Sequence, residues 1–559
     1  MWYNIIHYFK SGRRYLIFKE GVMIKTVAGR PKWGILTFLL ISFFAALSLF
    51  NWQKFPFFLD IYYHVNVMRG FDAAGGIVNH AFWELAPAGN IHLYPPLFPL
   101  LLLVPYKLGL DVISIARFFS VFSFLSLLAA LSFVANRLFS PKTGFFVTAA
   151  AVIPYTFFLK LTITIPVSLC LTFILLAFYA LENGRKIACP MLVACAFYTH
   201  LGIPWLGILA FIIYGLIKKG SFKQVMKAVL LSLLLASPVI LRTLSNIHGI
   251  QNPLGIKVAE NDLFEFYPIV YLFAVLGLSK LRDSKYGNRG LFFVALFLGL
   301  LPLAFNYRYR FLSGEGLLPV VFFAGLGMEN AYDLLKKYLT GKGIGPRLAL
   351  FYFIPLFVIV NIISPTISSY ETPEEGRREP AFFLRDSTLD NLVPDYKEHA
   401  RPLEINLVDA EAMEWIDVIE KRTASDDIIC SNWAYVGGML SAMTGRPNAA
   451  QLFYEIKRPP TPINEFGSSK LAVWLREIDG NYYMPALKIA SDKYKFKQIA
   501  ETDKAKILLR DGSFKSKPAK PVLTTGVAFS ILFCALLIIF YDLARPRNKF
   551  NNLSRSSLE

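Results

Sequence analysis

Apolar runs of span length or close to it recur along this chain, at 33–51, 93–110, 112–137, 143–158, 161–181, 187–199, 202–217, 224–242, 266–280, 290–306, 315–333, 347–365 and 523–543. A membrane-crossing helix needs about 20 predominantly apolar residues. In lipid every backbone polar group must be paired inside the protein, which leaves helices as the way for such runs to cross. The runs therefore predict a polytopic α-helical membrane protein. The formal net charge of +19 would suit nucleic acid in a soluble chain, but here Lys and Arg gather in short segments between the runs, as the positive-inside rule demands. The charge reads as topology, with membrane lipids as partners and no nucleic acid.

The basic connectors "ENGRK" (182–186), "KKGSFK" (218–223), "KLRDSKYGNR" (280–289), "KKYLTGKGIGPR" (336–347) and "RPRNK" (545–549) are expected on the cytoplasmic side. Counting every run as a span puts "ENGRK" on the wrong side. The run 93–110 carries four prolines and is the one expected not to cross. Twelve spans remain, with both termini cytoplasmic and residues 52–111 forming one long external loop. The expected organisation is a basic N-terminus (1–32), a membrane domain (33–365), an external α/β domain (366–520), and a final transmembrane helix with a cytoplasmic tail (521–559). Within 366–520, "DAEAMEWIDVIEKR" reads as an amphipathic helix burying Ala412, Met413, Trp415, Ile416 and Ile419, and "DDIICSNWAYVGGML" as a buried strand entering a glycine turn. Of the five cysteines, only Cys430 lies outside the apolar runs, so neither a disulfide framework nor a zinc spacing is present.

The stretch "FFLDIYYHVNVMRGF" (57–71) sets Asp60 and His64 four residues apart just after the first apolar run. A carboxylate at the end of a span is costly unless it is paired, solvated or metal-bound. Asp60 and His64 share a helical face, and Glu84 and His92 lie on the same external loop. Carboxylate oxygens beside imidazole suit a divalent cation, Mg2+ or Mn2+. Tyr62 and Tyr63 fit an interfacial aromatic belt. In "NYRYRFLSGEGLLP", Arg308 and Arg310 close a span on the outer side. Either fits snorkelling to the interface, and either guanidinium has the fork shape that binds the phosphate of a lipid-linked substrate. "VAENDLFEF" adds Glu260, Asp262 and Glu265, each of which taken singly reads as a solvated loop carboxylate and together as candidates for a second acid.

These residues carry a resemblance. An acid just after the first span, the element "HLYPPLFPL" in a long first outer loop, and "RFLSGEGLLPVVFFAGLG" resemble the GT-C membrane glycosyltransferases, which include the oligosaccharyltransferase catalytic subunit and the protein O-mannosyltransferases. "AMEWIDVIEKRTASDDIICSNWAYVGGMLSAMTGR" (412–446) is similar to the oligosaccharyltransferase segment in which a Trp-bearing helix leads to WWDYG and then TGR. The resemblance implies a GT-C-like fold and transfer of a hexosyl or oligosaccharyl group from a polyprenyl-phosphate donor, such as a dolichyl-phosphate sugar, to a glycan, lipid or protein acceptor on the external or luminal face. Asp60 would be the catalytic acid of the first loop, Arg310 the contact to the lipid phosphate, and Trp433, Tyr435 and Arg446 the acceptor side. Two departures stand out: Lys160 occupies the place of a second acidic motif, and Asn432–Val436 lacks the Asp of WWDYG. An acceptor hydroxyl of a lipid or glycan fits these departures better than a peptide asparagine. The alternative from another class is a flippase or transporter of lipid-linked sugars. It would show ionisable residues in mid-span and paired broken helices, whereas here the charges gather at the outer ends.

Overall fold

The computed structural model describes residues 32–58, 60–163, 165–249, 265–282, 286–342, 353, 355, 359, 366–371, 378–383, 388–392, 408–450, 463–476 and 492–545. The protein is mostly helical. Among the described residues seven helices are long and apolar enough to cross a membrane: Trp33–Phe50, Val112–Leu138, Ile165–Glu182, Phe222–Ser245, Gly287–Phe305, Arg308–Gly341 and Thr525–Ala544. Others are shorter than the runs suggest, with 10 residues in Ala188–Phe197, 15 in Ile203–Ile217 and 11 in Pro268–Leu278. The proline-rich run forms a helix of only 11 residues, Leu97–Lys107. At 1.5 Å per residue that is about 16 Å, half of a hydrocarbon core. The run 143–158 is not one helix either. It breaks after Ala151, and a new helix, Tyr155–Ile163, starts just past Pro154, whose missing N–H cannot continue the ladder. The run 347–365 lies outside the described residues except at 353, 355 and 359.

The chain divides into two compact units that do not follow chain order. One comprises Met1–Phe50, Leu128–Phe158 and Ala259–Lys397, and the other Asn51–Leu127, Leu159–Val258 and Glu398–Glu559.

In the first unit, Pro268–Leu278 and Leu317–Gly341 pack with their backbones in contact. A Cβ on Gly277 would stand 1.9 Å from the Phe323 carbonyl oxygen, and one on Gly327 1.9 Å from that of Phe273. A Cβ on Gly325 would stand 2.4 Å from the Cα of Val147. Small residues permit this approach, which replaces the hydrophobic drive that lipid cannot supply. The unit also buries charge. Glu329, 2% exposed, accepts from Thr143 Oγ1 at 2.9 Å and from the Tyr286 hydroxyl at 3.1 Å, with Lys142 Nζ 3.7 Å away. A three-stranded antiparallel sheet joins Glu265–Phe266, Thr366–Glu371 and Arg378–Phe383.

The second unit folds the residues after the first apolar helix together with the part of the polar region from Glu398 on, while the expected external domain 366–520 is divided, since its segment up to Lys397 belongs to the first unit. Strand Gly76–Ile77 pairs antiparallel with Leu523–Thr524, immediately before the Thr525–Ala544 helix. A four-stranded sheet is ordered Ile429–Ser431, Leu471–Leu475, Ala505–Leu509, Lys497–Glu501, with the first pair parallel and the others antiparallel. The amphipathic helix is Ala410–Arg422, capped by Asp409, whose side chain accepts from Ala412 N at 2.9 Å. It buries Ala412, Trp415, Ile416 and Ile419, but Met413 is 44% exposed, contrary to the periodicity. The expected glycine turn is also corrected, because Gly437 and Gly438 lie inside a helix, Ala434–Thr444, that directly follows the strand. That helix ends at Gly445, whose φ of +75° is the left-handed conformation a glycine cap adopts without strain.

Substituting Gly327 by Ala is expected to force the two contacting backbones apart and destabilise the protein by about 1–3 kcal/mol, the usual cost of overpacking. Gly341→Ala, in the same helix with nothing within 4 Å of its Cβ, is the control. Thermal unfolding in detergent reads the difference, and equal midpoints for the two variants would contradict the close packing.

Candidate functional site

Asp60 opens the helix Asp60–Ala74 and sits in its first turn, where the helix dipole favours a negative charge. The side chain is neither fully buried nor fully exposed. Behind it the helix is almost wholly buried and is fixed along its length to the Ala434–Thr444 helix. Asn66 Nδ2 donates to the Gly438 carbonyl at 2.9 Å, and Arg69 Nη2 to that of Met443 at 3.0 Å. At the entry to the helix, the Phe58 ring stands 6.0 Å from that of Tyr435, edge to face, and Tyr435 is 5.8 Å from Trp433. The structure thus brings the candidate acceptor residues Trp433 and Tyr435 to the segment that carries Asp60. Arg446 is engaged differently. Its guanidinium donates to the carbonyls of Thr444 at 2.6 Å and Thr423 at 3.0 Å, tying the end of one helix to the end of another.

The expected metal set is not assembled. Among the described residues no group of three or more His, Cys, Asp or Glu side chains could hold an ion. His64 is enclosed by rings, 4.8 Å from Tyr94 and 5.0 Å from Phe98, and His92 lies 5.3 Å from Trp83 and 5.6 Å from Phe71. Glu84 is buried. Asp60, His64, Glu84 and His92 are thus not gathered into a group that could hold Mg2+ or Mn2+. Burial lowers the pKa of His64 to about 3 and that of His92 well below the ordinary imidazole value, the charge of Arg242 and then His64 adding to the latter effect. Both rings are neutral at physiological pH.

In the other unit, Arg308 is exposed, while Arg310 turns back onto Glu315. Arg310 Nε donates to Glu315 Oε1 at 2.8 Å, and Nη2 donates to the same oxygen. The Tyr307 ring lies 5.7 Å from the guanidinium carbon. Glu315 was missing from the sequence reading, although an acid five residues after the arginine, at the head of an apolar run, was a visible signal. Arg69 and Asn66, both inside the stretch 57–71, had no such signal, since their partners lie far along the chain. Of the second-acid candidates, Glu260 and Asp262 fall outside the described residues. Glu265 is placed only as a strand residue opposite Ser368.

No protein-family model matches the chain, and no curated protein matches it in sequence. Solved structures do match in shape. The Archaeoglobus fulgidus oligosaccharyltransferase tethered to an acceptor peptide containing the NVT sequon aligns with a TM-score of 0.51 at 10% identity, covering 79% of this chain and 69% of that one. The fold is GT-C. ArnT from Cupriavidus metallidurans bound to undecaprenyl phosphate aligns with a TM-score of 0.49 at 14% identity, covering 85% of this chain and 99% of that one. In this chain the Asp60 helix and the Ala434–Thr444 helix belong to a single compact unit.

Two buried neutral histidines make stability fall in acid. The unfolded chain takes up a proton on each near pH 6.5, whereas the folded chain does not until far lower, so stability is complete above that value and is lost as the pH falls through it. The loss is about 1.4 kcal/mol per pH unit for each histidine. The unfolding midpoint should drop between about pH 7.5 and 5.5, and His64→Phe should flatten the decline. A His64→Phe variant with the wild-type pH response would contradict this account.

Proposed function

We propose that the protein is an integral membrane glycosyltransferase that moves a sugar from a polyprenyl-phosphate donor to a hydroxyl acceptor on the external or luminal face, with both termini cytoplasmic. The observation that carries this reading is the carboxylate of Asp60, which heads a rigidly held helix just after the first apolar helix, beside Tyr435, in a chain of GT-C fold. In the proposed reaction Asp60 accepts the proton of the acceptor hydroxyl. The acceptor oxygen bonds to the anomeric carbon from the face opposite the leaving group, the bond from that carbon to the lipid phosphate oxygen breaks, and the electron pair leaves with the phosphate. Arg310 is proposed separately as the contact to a lipid phosphate. Such chemistry depends on proton transfer and electrostatic placement, and no step requires a metal held by the first loop. Trp433 and Tyr435 supply flat surfaces for the acceptor, while Arg446 holds their helix in place.

Asp60→Asn preserves size and removes charge. Turnover is expected to fall by roughly 10²–10⁴-fold, the usual share of general acid–base catalysis, with folding and donor binding retained. Release of polyprenyl phosphate from a lipid-linked sugar reports it, and activity within a few-fold of wild type would remove Asp60 from the mechanism.

Arg310→Lys keeps a point charge but loses the fork. It should weaken donor use by about 1.5–3 kcal/mol, the worth of a charge-assisted hydrogen bond, against little effect of Arg308→Lys. Equal effects on the apparent KM for donor would leave both arginines as interfacial anchors.

A further inference from the structure

Glu315 is fully buried, with 0% of its side chain exposed, whereas 17% of Arg310 is exposed. Among the described residues the carboxylate has one hydrogen-bonding partner, Arg310, which places both Nε and Nη2 on Oε1. The second oxygen, Oε2, has none. The turn that makes this possible is tight. The amides of Gly314 and Gly316 both reach the Arg310 carbonyl at 3.2 Å, and a Cβ on Gly316 would stand 2.3 Å from the Phe311 carbonyl oxygen. A buried ion pair is weak support for stability, because desolvation cancels much of the attraction. A carboxylate that leaves one oxygen unused is not there to complete a polar network. What it does is hold the guanidinium by its Nε edge, which leaves Nη1 and the outer hydrogen of Nη2 for another acceptor.

We infer that Glu315 is a positioning residue that presents Arg310 to a lipid-linked phosphate. The inference rests on the proposed role of Arg310 and extends it. Glu315 is too deeply buried to touch the ligand and acts only through the arginine. A long, rotamer-rich side chain is thereby fixed before the donor arrives, so that less freedom is lost when the phosphate binds.

The test is a double-mutant cycle on the full chain in detergent, with binding of undecaprenyl phosphate measured by native mass spectrometry. Undecaprenol and inorganic phosphate serve as the two half-ligands. Glu315→Gln should weaken undecaprenyl phosphate by about tenfold, the lower end of what metal ligands lose with their orienting partner, and leave undecaprenol unchanged. Binding of inorganic phosphate alone that tracks the same variants would reassign the site to free phosphate and overturn the lipid assignment. Because Glu315 acts through Arg310, Arg310→Lys with Glu315→Gln should bind no more weakly than Arg310→Lys alone. Additive losses, or equal losses for undecaprenol, would reduce Glu315 to a packing role. Tighter phosphate binding by Glu315→Gln would make it a competitor of the phosphate and overturn the inference. If Glu315→Gln does not fold, Glu315→Asp, which keeps the charge and shortens the reach, is read against the same outcomes. An unchanged Arg310→Lys would instead overturn the phosphate role of Arg310 itself, and Glu315 with it.

Discussion

Two side-chain hydrogen bonds, from Asn66 to the Gly438 carbonyl and from Arg69 to that of Met443, span 372 and 374 residues of sequence and hold the Asp60 helix in place. Asn66 is a buried side chain on a carbonyl inside the helix, whereas the part-buried Arg69 reaches a last-turn carbonyl for which Pro447, four residues on, has no N–H to offer. Other links reinforce the pairing. Asn448 N donates to the Trp83 carbonyl at 2.9 Å, the Ser516 hydroxyl to that of Phe82 at 2.7 Å, and Gly445 leaves room for Arg69, which a Cβ would meet at 2.3 Å. The loop after the first apolar helix and the polar region from Glu398 on are therefore one folded body. Asp60 is carried on a helix held by these links, which is what its proposed role as a reacting carboxylate requires.

Elsewhere the same chain pays close attention to charge in apolar surroundings. Glu329 accepts from two hydroxyls and has Lys142 nearby, so its burial is compensated. Glu315 is compensated by a single partner and keeps one oxygen unused. The contrast separates a carboxylate that closes a structural network from one whose purpose is the arginine beside it.

The apolar helices were legible because hydrophobicity is a local property of sequence. Expected runs at 33–51, 112–137 and 523–543 appear as Trp33–Phe50, Val112–Leu138 and Thr525–Ala544, and the prolines of 93–110 limit that helix to 11 residues. The capped amphipathic helix at 410–422 was legible for the same reason. The glycine pair 437–438 was misread because glycine propensity points to a turn, while here its lack of a side chain serves close packing: a Cβ on Gly437 would lie 3.0 Å from the Asn448 amide. Spacing along a helix places His64 on the Asp60 face but does not show that, among the described residues, no metal-holding group is assembled, nor that Tyr94 and Phe98 pack on the ring. The pairings of Asn66 and Arg69 were beyond reach, since nothing within a few hundred residues specifies their partners.

The central proposal is that this protein transfers a sugar with Asp60 as the base. Phosphorus NMR on the purified protein with a polyprenyl-phosphate sugar and a hydroxyl acceptor tests it most directly. The account predicts that the signal of free polyprenyl phosphate appears together with glycosylated acceptor in the wild type and is lost in Asp60→Asn. An intact donor that instead moves between the leaflets of proteoliposomes, equally in both proteins, would contradict it.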